Sequence, residues 1–395
     1  MNPLAGLDIA PAVDVWRACG AHDDDVASLS GYAASAFGTP VNDVLPLPDE
    51  PCATMWAAYA DEAARDGAAA TLRRHLPHLR FAIDADTAQH PYYLAATRRG
   101  EAVPRDFDEW PGFDDPEGIS LSITPTAAGH VAAIVARARP DFERLVQALT
   151  MRSAPTVIPA SSGAVMVAGF VNWERVHQAR RAWAAARGGD DTVAWCEEFV
   201  RLRAEPARWQ DRFMLLSGGP YAAVPAHELG LHDDDWRARS ILLRREHEAA
   251  HYVTKRLFGV MRNALHDELL ADYSGIAVAA GRYRADWGRR VLGLSEAGAL
   301  MDGGRLWNYR GSPAPLTDRA MGVLGRLAVR ALDAFTTLDA LRAADASDGA
   351  PLLARTAALV AIAQTPLAQL GSDTAEAALA RAYHAARATM RAAVA

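Results

Sequence analysis

A chain of 395 residues, half of them hydrophobic, is long enough to bury a substantial core and to hold two or three structural units. Its formal net charge of −7, with the basic residues dispersed, gives no footprint for nucleic acid, and no run approaches the roughly eighteen apolar residues of a membrane span. Met1 to Asp8 has neither a basic nor a sustained apolar region of the secretory kind, and Cys19, Cys52 and Cys196 are odd in number and far apart, so a cytoplasmic protein with reduced thiols is expected. Lys255 is the sole lysine, which leaves no Gly-Lys-Ser/Thr phosphate loop and argues against Schiff-base chemistry.

In chain order, Met55 to His75 is Ala-rich and predicts a helix that Pro77 ends. His75 and His78, with no carboxylate at a suggestive spacing, read as surface residues. Pro104, Pro111 and Pro116 mark a loop after Glu101. Ile119 to Ile123 alternates and predicts a strand, as does His130 to Val135; a helix follows over Asp141 to Leu149. Thr156 to Pro159 and Ala164 to Phe170, both Val-containing, predict two more strands or one bent at Gly163. Helices are expected over Trp173 to Arg187 and Thr192 to Arg203, then an apolar run, Phe213 to Leu216. Asn172 and Trp173 read as cap and core.

The next helix is expected to start with Ser240 as its N-cap and to end at Gly259; another begins near Asn263 to His266 and runs toward Gly281. Beyond a Gly303-to-Tyr309 stretch and Pro313, helices are expected over Asp318 to Ala344, Pro351 to Ala363 and Ala375 to Val394. The expected fold is α+β and predominantly helical, with a small central sheet, in three regions: an N-terminal helical region 1–100, a mixed region 101–235, and a metal-binding and C-terminal helical region 236–395.

The chemistry is concentrated in His247-Glu248-x-x-His251. Histidines four apart project from one helical face with the glutamate beside them, so two imidazoles can hold a metal next to a general base. A catalytic zinc takes three protein ligands and leaves a position for water. Glu268, seventeen residues after His251, is the preferred third ligand, with His266 and Asp267 as rivals, and Asp272 shares the Glu268 face. His227-Glu228-x-x-x-His232 is a decoy, because histidines five apart around Gly230 do not share a face.

His247-Glu248-x-x-His251 followed by Glu268-x-x-x-Asp272 resembles the gluzincin type of zinc metallopeptidase over about Ser240 to Gly281. The resemblance implies a zincin-like helix-turn-helix cradle for one zinc ion, held by His247, His251 and Glu268, with Glu248 as base and Asp272 orienting a ligand histidine. The Gly-x-Met-Glu-Asn signature of aminopeptidases is missing, Ser162 to Met166 lacking the glutamate, and Thr254 and Leu257 stand where metzincins carry Gly and His.

The expected activity is that of a zinc-dependent hydrolase, metallopeptidase-like, cleaving an amide or related bond in a peptide or small-molecule substrate. Tyr309, His266, Tyr273 and Arg244 are candidate oxyanion donors; Tyr309 is preferred because Gly303 and Gly304 let its loop approach the site. One alternative is a non-proteolytic enzyme of the same scaffold acting on a small molecule. Another is a di-iron oxidase built from Glu174-x-x-His177 and Glu248-x-x-His251 with Glu143 and Glu197.

Overall fold

The computed structural model describes residues 12–33, 37, 45–259, 264–311, 314–346 and 351–394. Met1 to Asp8, Asn263 and Pro313 lie outside them. The fold is α+β and predominantly helical, with a four-stranded mixed sheet. Among the described residues no helix is long and apolar enough to cross a membrane.

Two compact units make up the chain. Pro48–Pro125 and Gly129–Gly219 form the sheet unit; Met1–Leu47, Thr126–Ala128 and Pro220–Ala395 form the helical unit.

In chain order the elements begin with α1 (Ala12–Ala18) and α2 (Asp23–Ala33). α3 (Ala53–Asp66) and α4 (Ala68–His75) replace the single helix expected over Met55 to His75, because Gly67 takes φ +87° and breaks the run. α5 (Pro91–Leu94) continues into a π-helical turn, Ala95–Arg99, and the expected loop follows. Then come β1 (Ile119–Thr126), β2 (Gly129–Ala136), α6 (Arg139–Thr150), β3 (Ala164–Val171), α7 (Trp173–Arg187), α8 (Thr192–Arg203) and β4 (Gln210–Ser217).

The sheet order is β1-β2-β4-β3. β2 and β4 are parallel with Ala132 opposite Phe213, and β3 and β4 antiparallel with Met166 opposite Met214. The two inner strands are buried almost throughout, which is why they read as unbroken apolar runs. α6 lays Phe142, Leu145, Val146 and Leu149 on the sheet at helical spacing, each burial contributing about 1.5–3 kcal/mol.

Thr156 to Pro159 is not a strand, contrary to expectation. Pro155 and Pro159 cannot donate to a ladder, and the carbonyls of Ile158 and Pro159 accept instead from Arg139 Nη2 at 3.2 and 2.8 Å. α7 and α8 have the expected bounds because each carries its own cap: Asn172 Oδ1 accepts the Glu174 N–H at 3.1 Å, and Asp191 Oδ1 that of Val193 at 2.9 Å. Such caps contribute about 1 kcal/mol each.

The helical unit continues with α9 (Asp233–Phe258), α10 (Ala264–Ala279), α11 (Ala285–Leu292), α12 (Asp318–Ala346), α13 (Pro351–Gln364), α14 (Leu367–Leu370) and α15 (Ala375–Val394). Ser240 is not the N-cap of α9. The helix starts about two turns earlier, where Asp233, Asp234 and Asp235 complement the positive end of its dipole, and Ser240 is buried, its Oγ accepting the Tyr221 N–H at 3.0 Å. Gly259, at φ +74°, ends it as expected. Leu243 of α9, Leu269, Leu270 and Ile276 of α10, and Phe335 and Ile362 from α12 and α13 are fully buried. α10 is buried on nearly every side, so its acidic residues must find partners inside the protein.

Candidate metal centre

α9 and α10 build the site. They approach closely because position 275 is glycine: a Cβ there would lie 2.6 Å from the Leu243 carbonyl oxygen. That contact faces α10 toward α9 one turn from Asp272 and two from Glu268.

His247 and His251 sit one turn apart on α9, their rings nearly perpendicular with centroids 4.6 Å apart. The two Nε2 atoms face each other at 3.0 Å. Glu268 reaches to 3.4 Å from His247 Nε2 and 3.9 Å from His251 Nε2. Carboxylates stand on the far side of both rings: Asp272 Oδ1 lies 3.0 Å from His247 Nδ1, and Asp267 Oδ2 lies 2.6 Å from His251 Nδ1. Thr254, where a metzincin would carry glycine, donates its hydroxyl to Asp267 Oδ1 at 3.4 Å.

This geometry assigns the tautomers. A carboxylate beside Nδ1 holds the proton there and leaves the Nε2 lone pair outward. Two such lone pairs 3.0 Å apart repel unless a cation or a proton lies between them. Donors about 2.0–2.2 Å from a tetrahedral zinc are roughly 3.3 Å from one another. The observed 3.0, 3.4 and 3.9 Å separations bracket that figure, and His247, His251 and Glu268 form the one group among the described residues whose donor atoms could hold a metal ion.

The surrounding charges express the same demand for a cation. Burial lowers the pKa of His251, but the Asp267 carboxylate 2.6 Å from its Nδ1, with the Glu248 and Glu268 charges behind it, overcomes this and raises the pKa to about 9. Burial also works against ionising Asp272, yet Arg305, His247 and Tyr221 hold its carboxyl below the usual range. Glu248 is half-buried on α9 beside His247.

Two residues here were not singled out from the sequence. Tyr221 donates its hydroxyl to Asp272 Oδ1 at 2.6 Å, lies 3.0 Å from His247 Nδ1, and accepts from Arg305 Nη1 at 2.7 Å. Arg305 Nη2 also donates to Asp272 Oδ2 and lies 3.7 Å from Glu268 Oε2. The glycines before Arg305 were the available signal: a Cβ at Gly304 would lie 2.8 Å from the Gly293 carbonyl oxygen, so only glycine lets that segment cross the end of α11. Burial together with the nearby Glu268 and Asp272 charges raises the Tyr309 phenol pKa despite Arg305.

The other candidates lie elsewhere. His266 Nε2 bonds the Ile362 carbonyl at 2.8 Å, Tyr273 donates to Asp339 at 3.3 Å within an aromatic nest, and Arg244 donates to the Pro220 carbonyl at 2.7 Å while lying over the Tyr221 ring. Asp267 serves His251 rather than competing with Glu268.

In the sheet unit, His75 is not a free surface residue. It is half-buried, with Nε2 2.8 Å from Glu62 and Nδ1 2.9 Å from Glu174. His78 packs against Phe170 and Tyr93. Glu174 is thus bound to His75 and to the Tyr59 hydroxyl, and Glu143 to Arg139; neither is joined with His177 or Glu197 in a metal-binding group.

No curated protein and no solved structure shows significant similarity to the chain. The matching family profile spans residues 14–374, and the chain belongs to that family, DUF7005, a family of unknown function.

Proposed function

We propose that the protein is a zinc-dependent hydrolase with a gluzincin-like site on a zincin-like helix-turn-helix cradle, acting on an amide or related bond. The observation that carries this reading is the pair of Nε2 atoms 3.0 Å apart, each ring backed by its own aspartate and both within reach of Glu268.

His247, His251 and Glu268 would hold the ion, with Asp272 and Asp267 fixing the two rings. Zinc bound there supplies Lewis acidity and lowers the pKa of a water molecule toward neutrality. The chain's own residues do the rest. Glu248 accepts the water proton on its carboxylate and returns it to the leaving atom. Tyr309, on the Glu268 side of the site, offers a phenol proton to the developing oxyanion, its raised pKa keeping that proton in place at neutral pH. Arg305 and Tyr221 fix Asp272, and through it the His247 ring, and Arg305 offsets part of the carboxylate charge.

Elemental analysis of the purified chain is expected to find about one zinc per chain. Glu248→Gln should keep that zinc while abolishing hydrolysis of any substrate found by screening peptide and small-amide libraries. Two irons per chain, or a folded protein that takes up no metal, would overturn the reading.

A further inference from the structure

The sheet unit contains a second built site, and no part of it belongs to the histidine cluster. β3 and β4 are antiparallel neighbours with Val171 opposite Gln210, a junction that a two-residue turn can close. The chain inserts α7 and α8 there instead, helices of 15 and 12 residues. Long insertions of this kind are where function concentrates.

The insertion is rich in tryptophan, with Trp173, Trp183, Trp195 and Trp209 joining Phe199 around a small apolar cluster of their own. Between it and the π-helical turn Ala95–Arg99 lies a cavity of about 330 Å³, lined by Trp173, Trp195, Phe199 and Val176, with Arg98, Arg99, Arg180, His177 and Cys196 completing the wall. A volume near 300 Å³ suits a small organic ligand.

The wall is fixed on both sides. The Trp173 indole N–H donates to the Thr97 carbonyl at 2.9 Å, joining α7 to the π turn. Gly100, at φ +66°, closes that turn directly against the indole, where a Cβ would fall 2.3 Å from the ring. A π turn locked under a tryptophan presents two consecutive arginines to the cavity, and irregular turns of this type recur at functional sites.

The charge is one-sided. No carboxylate lines the cavity among the described residues. Arg99 is paired with Glu101 at 2.9 Å and Arg180 with Asp190 at 3.0 Å while lying over the Trp195 ring, but no described carboxylate forms an ion pair with Arg98. A guanidinium beside aromatic faces binds a carboxylate through charge-assisted hydrogen bonds, and the rings take a flat apolar body.

We infer that this cavity is a binding site for a small aromatic carboxylate, with Arg98 holding the anion and Trp173, Trp195 and Phe199 the ring.

The probe is 2-naphthoate on the full chain, followed by tryptophan fluorescence and by alkylation of Cys196. That cysteine is exposed, whereas Cys19 and Cys52 are buried with thiol pKa values raised mainly by burial, so native iodoacetamide labelling reports on Cys196. Saturable quenching at one probe per chain is expected, with protection of Cys196 over the same concentration range. Arg98→Ala, an exposed position, should weaken binding about tenfold or more. The neutral isostere 2-naphthylmethanol should bind the parent weakly and the variant equally weakly. Non-saturating quenching, an unprotected Cys196, equal affinity for the neutral isostere, or unchanged affinity in Arg98→Ala would each overturn the assignment. The labelling result on the unaltered chain decides the matter even if the variant misfolds.

Discussion

Each unit contains histidine beside carboxylates, and the two arrangements have opposite chemical capacities. In the sheet unit, His75 has a glutamate at each ring nitrogen, 2.8 and 2.9 Å away, so each nitrogen is engaged by its own carboxylate and neither converges with a second imidazole. In the helical unit, His247 and His251 each face an aspartate with Nδ1 alone, and their Nε2 atoms converge. Proximity of acid to imidazole does not make a metal site. What differs is convergence: in the helical unit both Nδ1 atoms are backed by carboxylates while both Nε2 atoms turn toward one point.

The strongest test of that contrast removes one converging nitrogen. His247→Ala should lower zinc affinity by at least about a thousandfold, read by competition with a chromophoric chelator. Retention of near-parent affinity would break the comparison at its centre.

Next in size is a pH effect confined to the sheet unit. Burial, assisted by the Arg98 charge, lowers the pKa of His78 to about 4 from an ordinary 6.5. The native state therefore favours the neutral ring. This histidine's contribution to stability is complete above pH 6.5 and is lost as pH falls through 4, for a total of about 3 kcal/mol. His78→Phe, in its nest of Phe170 and Tyr93, should flatten that acid limb in urea melts at pH 7, 5 and 4; an unchanged slope would show that another group sets it.

A smaller effect separates backing from ligation. Asp267→Asn should weaken zinc binding about 10- to 100-fold without abolishing it, and Asp272→Asn should do the same. A complete loss in Asp267→Asn would make that residue a ligand. The smallest expected effect is the most diagnostic of the contrast: His75→Gln should leave zinc stoichiometry and affinity unchanged while lowering the stability of the sheet unit by about 1 kcal/mol, measured by thermal unfolding beside metal analysis.

Much of this was legible because it is local. Histidines at i and i+4, and Glu268 and Asp272 at the same interval, share helix faces wherever those helices go. α7 and α8 could be bounded from sequence because Asn172 and Asp191 cap them with their own side chains. The misreadings share one cause. Thr156 to Pro159 has strand composition, but Arg139 claims its carbonyls from another element. Ser240 has cap chemistry, but the Tyr221 backbone occupies its hydroxyl. His75 has no carboxylate at a helical interval, yet Glu62 and Glu174 reach it from outside its own helix.

By itself, then, the sequence determined the mixed and mainly helical class, most helix bounds, and the His247, Glu248, His251, Glu268 and Asp272 pattern, because periodicity and capping act within a few residues of chain. Only the tertiary structure decided that Asp267 backs His251, that Tyr221 and Arg305 converge on Asp272, and that Gly275 and Gly304 are the close approaches that permit it. Those contacts join different elements of the chain, and no local interval encodes which buried carboxylate will meet which donor once the helices pack.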